Sequence, residues 1–380
     1  MRLLHTSDWQ IGKCFAFLGT EGREILRDAR LEAISRIGRL ARQGGASAVL
    51  VAGDVYDVAT PSDQTLRQPI ERMRAFPDLA WHLIPGNHDP HSAGGPWERL
   101  ARAGLPDNVR AHLTPEPAPI GDGTAWIIPA PLTRRHAAGD PTQTMDAACT
   151  PDGAIRVGLA HGSLRSFGSD GSTTHNLIAP DRAETAGLAY LALGDWHGAQ
   201  SFGPRSWYSG TPEPDGFDLG GGGGGEVLLV TIDGPRALPA VERHRVGGFL
   251  WRREAATLHG VTDIDVLETR LRGLHPDLHR VLVSLKVEGT LSLAGRQTFN
   301  QRIAQELRGA LRLLRIDDAG LRAEPTAADL AAIDHAGFVR DAAERLSAMA
   351  ANPAEPRHDL AAAALQRLYS LQFRHEERAP

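Results

Sequence analysis

Five short polar clusters in the first 200 residues contain the residue types that bind metal ions and transfer protons. Each cluster follows an apolar stretch of the chain. In order they are Asp8-Trp-Gln10, Gly53-Asp54-Val-Tyr-Asp57, Gly86-Asn87-His88-Asp89, His161-Gly162 and Gly194-Asp195-Trp-His197. A single Asp or His after a strand is more often a turn residue or a structural group than a ligand. Five such clusters in order instead favour one shared site.

Carboxylate, amide and imidazole groups in this combination predict a metal site for phosphoester hydrolysis. That reaction needs charge neutralised on the phosphate, a nucleophile available at neutral pH, and in-line geometry. Two metal ions about 3.5–4 Å apart supply all three, and one carboxylate must bridge them. The mixed ligand set suits manganese, iron or zinc better than calcium. We therefore expect a two-metal phosphoesterase site.

The apolar stretches before the clusters predict the strands of an α/β domain. Buried strands are expected at 2–6, 47–52, 80–84, 124–128, 155–160, 189–193 and 226–232. Helices are expected at 21–43 and 62–76, although Pro69 weakens the second. Strands that alternate with helices describe a layered α/β fold. Because ligands bind beyond the carboxyl ends of strands in such sheets, the five clusters should meet at one edge.

The pattern changes after about residue 243. Alternating strand and helix patterns follow at 245–259, 263–273, 280–293, 295–314 and 315–324. This βαβαβ order predicts a small α+β domain over 244–325, separate from a first domain over 1–243. The glycine run from Gly220 to Gly225 is most simply a surface loop, since no helix follows it.

The last segment, 326–380, contains two amphipathic, Ala-rich helical patterns. They span 327–349 and 358–373, and Pro325 precedes them. Such helices either pack on the core of their own domain or bind a partner in a groove. The sequence favours neither alternative.

The five clusters resemble the motifs of the calcineurin-like metallophosphoesterases, which are Asp-x-His, Gly-Asp-x-x-Asp, Gly-Asn-His-Asp/Glu, Gly-His and Gly-His-x-His. Within that family the chain is most similar to the SbcD-type DNA repair nucleases. The segments Leu-Leu-His-Thr-Ser-Asp-Trp-Gln-Ile-Gly at 3–12 and Tyr-Ser-Gly-Thr-Pro-Glu-Pro at 208–214 carry this similarity. The resemblance implies a layered metallophosphoesterase β-sandwich flanked by helices, a small α+β capping domain, and C-terminal helices that bind a partner.

The resemblance also implies a metal-binding role for each matching residue. Asp54 matches the carboxylate that bridges the two metals. Asp8, Gln10 and His197 stand at the first metal position. The second metal position takes Asn87, His161 and Asp195.

Three residues match positions that act beside the metals. His88 corresponds to the catalytic histidine, which stabilises the transition state or protonates the leaving alkoxide. Asp89 is expected to orient His88 through a hydrogen bond. Asp57 is expected to hydrogen-bond within the site rather than bind metal.

Two positions depart from the family pattern. Gln10 and Asp195 each stand where the family has histidine. Both changes exchange an imidazole for an oxygen donor, which favours manganese over zinc. We therefore expect two divalent cations, with manganese preferred. Since a neutral amide is a weak ligand, the first metal should bind less tightly.

Three functions are compatible with this sequence. The leading hypothesis is the nuclease subunit of a DNA repair complex; the resemblance implies an SMC-like coiled-coil ATPase as partner and a homodimer. A phosphodiesterase or phosphatase for small nucleotides is the second, although such an enzyme does not need so large a C-terminal extension. The third is a non-catalytic scaffold that binds DNA ends or the ATPase.

Composition limits the remaining classes. The chain has 380 residues and a net charge of −5, so no global basic field points to nucleic acid. Almost every basic residue is arginine, and the only lysines are Lys13 and Lys286. Two cysteines, Cys14 and Cys149, make neither a disulfide framework nor a cysteine metal site. The N-terminus lacks the apolar region of a signal peptide, and no apolar run reaches membrane-spanning length, so a cytoplasmic location without membrane contact is expected.

Four aromatic residues near the motifs have two interpretations. Trp9, Trp196, Trp207 and Tyr208 could stack on nucleic-acid bases. Aromatic residues at strand ends more often belong to the rim of the core, and we prefer that interpretation.

Overall fold

The computed structural model describes residues 1–164, 175–217, 224–324, 326, 329 and 337–376. The chain divides into two units, Met1–Phe249 and Leu250–Pro380. The first unit thus ends a few residues beyond the predicted domain end at 243, and a further division at 325 stays a prediction. Pro325, most of 327–336 and the glycines at 220–223 lie outside the described residues.

Two six-stranded sheets form the first unit. Its strands are β1 (Arg2–Thr6), β2 (Ala48–Val51), β3 (Ala80–Leu83), β4 (Val109–Ala111), β5 (Ala118–Ile120), β6 (Ala125–Ala130), β7 (Ile155–His161), β8 (Ser163–Leu164), β9 (Leu177–Ile178), β10 (Tyr190–Gly194), β11 (Gln200–Phe202), β12 (Ser206–Tyr208), β13 (Glu226–Thr231) and β14 (Ala240–Arg245). The strand orders are β14-β13-β1-β2-β3-β4 and β11-β12-β10-β7-β6-β5, and β8 pairs with β9. Strands β1 to β4 are parallel, as are β6, β7, β10 and β12.

Helices cover the outer faces of this sandwich. They are α1 (Thr20–Gln43), α2 (Asp63–Arg74), α3 (Pro96–Ala103) and α4 (Arg182–Thr185), with a 3₁₀ turn at Gln143–Ala147. Helix α2 forms as predicted and continues through Pro69. Its start is stabilised because the hydroxyl of Ser62 accepts a hydrogen bond from the N–H of Thr65 at 3.1 Å.

Strand β2 shows why these strands have continuous apolar sequences. Successive side chains of a strand point to opposite faces of the sheet. Leu50 lies in the core between the two sheets, together with Val157 of the facing sheet. Val49 packs instead in the core under α1, with Ile34 and Ile37. Both faces of the sheet are buried, so every position along β2 is apolar. The predicted layered α/β fold is confirmed.

The second unit contains a three-stranded parallel sheet. Its strands are β15 (Leu250–Leu258), β16 (Val281–Leu291) and β17 (Leu313–Ala323), in that order. Between them lie α5 (Val261–Arg272), a 3₁₀ turn (Leu278–Arg280), α6 (Leu293–Phe299), a π-helical stretch (Asn300–Leu307) and α7 (Arg308–Ala310). Ile264 of α5 and Phe299 of α6 pack against Val283 of β16. The predicted βαβαβ order is confirmed.

The C-terminal helices are α8 (Phe338–Ala350) and α9 (His358–Glu376). One face of the pair packs inward, since Ala343 and Leu365 are buried against Leu293 of α6. On the other face, Phe338 is 85% and Leu360 66% exposed. Capping of the core therefore accounts for only one face of these helices. No helix among the described residues has the length and apolar character to cross a membrane.

Candidate metal centre

The carboxyl ends of strands from both sheets meet at one end of the sandwich. Asp8 follows β1, Asp54 follows β2 and Asn87 follows β3 in the first sheet. His161 ends β7 and Asp195 follows β10 in the second sheet. The predicted convergence therefore involves two sheet edges rather than one.

Distances between the side chains define a compact centre. Nε2 of His161 lies 3.5 Å from Oδ1 of Asp54 and 3.8 Å from Oδ1 of Asp195. The amide of Asn87 donates to Oδ1 of Asp195 at 3.3 Å. One ligand atom from each of Asp8, Asp54 and His161 lies within 4.8 Å of the others. This is the spacing of groups that share a cation.

The backbone is strained where these ligands leave their strands. Among the described residues, five non-glycine residues have positive φ, and four of them belong to this centre: Asp8 (55°), Gln10 (43°), Asp54 (53°) and Asp195 (104°). The left-handed region is costly for side chains other than glycine, and such strain clusters at functional sites. The backbone of these motifs thus adopts an unfavourable conformation that orients the ligand side chains toward the centre.

Two motif glycines are required by close contacts. A Cβ atom on Gly86 would lie 2.1 Å from Oδ1 of Asp54, and one on Gly194 would lie 2.0 Å from the carbonyl oxygen of Ala52. A side chain at Gly86 would push apart two neighbouring loops of the first sheet, and one at Gly194 would push the second sheet away from the first. The glycines therefore let the ligand-bearing loops approach each other.

Two ligand atoms in the centre are buried without a hydrogen-bond partner: Nε2 of His161 and Oδ1 of Asn87. Nδ1–H of His161 donates to the carbonyl of Ala52 at 2.8 Å, so Nε2 carries the lone pair in the neutral ring. A buried polar atom without a partner is costly unless an ion or water satisfies it. These residues consequently fit a divalent cation, and Asp8, Asp54, Asn87, His161 and Asp195 are the groups that would hold it.

Comparison with known proteins agrees with this geometry. Residues 1–168 match the family model of the calcineurin-like phosphoesterases. The chain is 30% identical over 290 residues to the D subunit of the SbcCD nuclease of Rhodobacter capsulatus, covering 63% of this chain and 69% of that protein. It is 29% identical over 92 residues to the D subunit of the SbcCD nuclease of Bacillus subtilis, covering 23% of this chain and 22% of that protein.

The chain belongs to the calcineurin-like phosphoesterases, in the family of the SbcCD nuclease's D subunit. It is therefore a hydrolase that acts on phosphoester bonds. Calcineurin-like phosphoesterases work with divalent metals, and the cluster of Asp8, Asp54 and His161 supplies a site for one.

Electrostatics explain why this phosphoesterase needs positive charge at its centre. Burial raises the pKa of Asp8 to about 6, with His161 and His197 acting in the opposite direction. Burial lowers the pKa of His161, but the carboxylates of Asp54, Asp8 and Asp195 outweigh it and raise that pKa to about 9. The buried carboxylates thus keep a proton on His161, and a divalent cation takes over that role when it binds.

Raising the pH should make the fold increasingly dependent on metal. The pKa of His161 is about 9 in the metal-free folded protein and about 6.5 when unfolded, so its proton stabilises the fold below about pH 6.5. That contribution disappears as pH rises through about 9. We expect the Tm in excess chelator to fall over this range. The gain in Tm on adding MnCl₂ should therefore increase with pH. Thermal melts with and without MnCl₂ at both ends of this pH range measure it. His161→Gln cannot titrate, so it is the control for the melts in chelator, where its Tm should not show this decline. An equal gain from MnCl₂ at both pH values in the wild type contradicts the prediction.

His88 is oriented by a different residue from the one expected. Its backbone N–H donates to Oδ1 of Asp54 at 2.9 Å, and its Nδ1–H donates to the carbonyl of Asp57 at 2.9 Å. The carboxylate of Asp89 accepts instead from the backbone N–H groups of Gly86 (2.7 Å) and Tyr56 (3.1 Å). The expected hydrogen bond from Asp89 to His88 is therefore wrong, because Asp89 is buried and faces the loop backbone.

Asp57 does hydrogen-bond within the site, as expected, but through its main-chain carbonyl. Asp89 ties the motif after β3 to the motif after β2, which places His88 and Asp54 side by side. Sequence motifs do not distinguish main-chain from side-chain acceptors, so this division of roles needed the structure.

The residues expected at the first metal position form a hydrogen-bond network. Oε1 of Gln10 accepts from Nζ of Lys13 at 2.7 Å, and Nε2 of Gln10 lies 3.2 Å from Nε2 of His197. Nδ1 of His197 lies 3.2 Å from Oδ1 of Asp215. Gln10 and His197 thus contact each other.

Asp215 belongs to this network, although the sequence motifs do not include it. Burial alone would raise its pKa, but the hydrogen bond from His197 and the charges of Arg30 and Lys13 hold that pKa far below its usual value. Its carboxylate is therefore a permanent anion behind His197. The available signal was its position directly after the Tyr-Ser-Gly-Thr-Pro-Glu-Pro segment.

The aromatic residues divide into two groups. Trp9 and Tyr208 are buried, and the hydroxyl of Tyr208 donates to the carbonyl of Gly162 at 2.7 Å. These two residues belong to the core and not to a base-stacking surface, in line with the preferred interpretation of the sequence. Trp196 and Trp207 are half-buried, so they lie at the rim of the core.

Proposed function

We propose that this phosphoesterase is a DNA nuclease subunit, which hydrolyses phosphodiester bonds with two divalent cations and prefers manganese. One observation carries the metal-dependent chemistry: Asn87 and His161 each have a buried ligand atom without a hydrogen-bond partner, next to the carboxylates of Asp195 and Asp54 respectively. The two SbcCD nuclease relatives support DNA as the substrate. The exchange of two imidazoles for oxygen donors supports manganese.

Each residue then has a defined task. When bound, the divalent cations neutralise the phosphate and supply a nucleophile at neutral pH. Asp54 would serve both positions, and its Oδ1 accepts from the backbone N–H of His88. Because Nδ1 of His88 is used by the carbonyl of Asp57, its Nε2 is the nitrogen that meets the phosphate or the leaving oxygen.

The substrate class is tested by comparing two phosphodiesters. With MnCl₂, the protein should degrade linear DNA and also turn over bis(p-nitrophenyl) phosphate. Turnover of the small ester alone would assign a small-nucleotide phosphodiesterase. If the metal-loaded protein has neither activity, the remaining alternative is a non-catalytic scaffold that binds DNA ends or the ATPase. Manganese should restore the chelator-treated protein better than zinc does.

An exposed basic stretch at 134–136 lies between two loops of the centre. The carbonyl of Leu132 accepts from the N–H of His91, which follows the Gly-Asn-His-Asp motif, at 2.8 Å. On its other side, the amide of Asn176 donates to the carbonyl of Arg135 at 3.0 Å. Asn176 in turn accepts from the N–H of Ser163, two residues after His161. Arginine side chains placed there would contact DNA phosphates beyond the scissile bond.

Reversing these charges should weaken DNA binding while sparing the chemistry. We expect Arg134→Glu/Arg135→Glu to raise the KM for DNA by about tenfold or more and to reduce the salt slope of binding by about 2. Turnover of bis(p-nitrophenyl) phosphate should stay at the wild-type level. Fluorescence anisotropy over a salt series measures the first effect.

The matched control is Arg74→Glu/Arg236→Glu, because both arginines are exposed at the opposite end of the first sheet. Arg74 ends α2, just before the start of β3, and Arg236 follows β13, whose last residue pairs with Arg2 at the start of β1. If both double variants lose DNA affinity equally, the effect is one of net charge and 134–136 is not a DNA contact.

We also propose an SMC-like coiled-coil ATPase as partner, and a homodimer. The relatives' name describes one component of a complex. The exposed side chains of Phe338 and Leu360 on α8 and α9 offer an apolar surface for such a partner. Co-purification with the ATPase should be lost in Phe338→Asp/Leu360→Asp, and size-exclusion chromatography with light scattering reports the dimer.

A further inference from the structure

Lys13 holds the amide of Gln10 in an orientation that hides its metal-ligating atom. The ammonium of Lys13 donates to Oε1 of Gln10 at 2.7 Å, and an ammonium can only donate. The NH₂ group of the amide therefore faces Nε2 of His197, 3.2 Å away. Since an amide NH₂ is a donor without acceptor capacity, Gln10 presents no ligand atom on the side that faces His197.

His197 is engaged by the same network. In the neutral ring Nδ1–H donates to the carboxylate of Asp215 at 3.2 Å, and Nε2 then accepts from the amide of Gln10. Both ring nitrogens thus have hydrogen-bond partners. The two residues expected to complete the first metal position are bound to each other.

Two cations stand behind this pair. Asp215 accepts a hydrogen bond from Lys13 and lies 3.2 Å from the guanidinium of Arg30. The side chain of Arg30 is 1% exposed, whereas that of Lys13 is 28% exposed. An ammonium beside Gln10 disfavours further positive charge there. Because Lys13 is partly exposed, its side chain can move away without disturbing the core.

At the second metal position two ligand atoms are not engaged in hydrogen bonds. Nε2 of His161 and Oδ1 of Asn87 are buried without hydrogen-bond partners, and His161 lies 3.5 Å from Asp54. No hydrogen bond engages these two ligand atoms, whereas hydrogen bonds engage those of Gln10 and His197. The two halves of the centre are therefore unequal before any cation binds.

We propose that Lys13 sets the metal stoichiometry of the centre by keeping the Gln10–His197 half closed. The protein takes one divalent cation tightly at the second position and another much more weakly at the first. This inference rests on the proposed metal-dependent function, but it concerns only the inequality of the two positions. Lys13 is a positioning residue, because it acts through Gln10.

Calorimetric titration of the chelator-treated full chain with MnCl₂ tests the proposal. The wild type should show one tight and one weak binding step. Lys13→Met removes the ammonium but keeps a stem of similar length. It should tighten only the weak step by about tenfold or more, the effect of one neighbouring charge on an ionisable group. Lys13→Arg retains a cation and should preserve the inequality.

Lys286→Met is the matched control, because it removes the only other lysine of the chain, on β16 of the second unit. It should change neither binding step. Electron paramagnetic resonance at two equivalents of Mn²⁺ gives an independent readout: Lys13→Met should show a spin-coupled pair, and the wild type an isolated ion.

Two equally tight steps in the wild type would overturn the proposal. So would a Lys13→Met variant in which the weak step is unchanged, or in which both steps tighten equally. Failure of the proposed function has a different signature. In that case the wild type, Lys13→Met and Asp54→Ala would all fail to bind Mn²⁺.

Discussion

Asp54→Ala is expected to empty the metal centre and abolish phosphodiester hydrolysis. The carboxylate of Asp54 lies 3.5 Å from Nε2 of His161, and it accepts from the backbone N–H of His88. Its removal takes away the charge that we propose the two metal positions share, together with the acceptor that holds the backbone of His88. Substitution of groups that only support metal ligands costs about 10–100-fold in affinity or activity, so loss of a direct ligand should exceed that range.

Metal content and rate should be measured on the same Asp54→Ala sample. Elemental analysis after dialysis against Mn²⁺ should find almost no metal, and DNA degradation should fall to the background rate. Asp54→Asn is the companion variant, because its amide oxygen still accepts from His88 while the charge is lost. If Asp54→Asn retains wild-type metal content, the bridging role belongs to another carboxylate. Circular dichroism shows that each variant is folded.

His88→Ala should separate chemistry from metal binding. His88 reaches the centre through its backbone contact to Asp54, and its ring is anchored on the carbonyl of Asp57. The ring is 30% exposed, consistent with a group that meets substrate rather than one enclosed by ligands. Loss of a general acid costs about 10²–10⁴-fold in rate. The kcat for DNA should fall by that amount while metal content stays close to wild type.

The comparison with Asp54→Ala gives the His88 prediction its control. Equal metal loss in both variants would show that His88 is a ligand and not the catalytic histidine. Asp89→Asn provides a second comparison, since Asp89 holds the backbone of Gly86 and Tyr56 rather than His88. We expect Asp89→Asn to lower the Tm as well as the rate, whereas His88→Ala should leave the Tm unchanged.

The order of strands and helices was predictable because it depends on local patterns. Apolar runs such as 47–52 are recognisable without knowledge of their partners, since a strand buried on both faces must be apolar throughout. The βαβαβ order after residue 243 follows from the same periodicities. Exact ends were less predictable: the helix expected at 295–314 is interrupted by a π-helical stretch at Asn300–Leu307.

The ligand types were also visible in the sequence. Asp, Asn and His at the ends of successive strands must converge when parallel strands align. What local pattern does not contain is which sheet each strand joins. The sequence predicts convergence at one sheet edge, whereas β7 and β10 belong to a second sheet whose edge faces the first.

By itself, then, the sequence determined the fold class, the phosphoesterase chemistry and the set of candidate ligands, because these follow from residue types and short spacings. Only the tertiary structure decided which of their atoms form hydrogen bonds with each other. Lys13 and Asp215 are 202 positions apart, and His88 is oriented by a carbonyl 31 positions earlier. Hydrogen bonds over such separations depend on the packing of whole sheets and leave no local pattern. They are the contacts that distinguish the two halves of this metal centre.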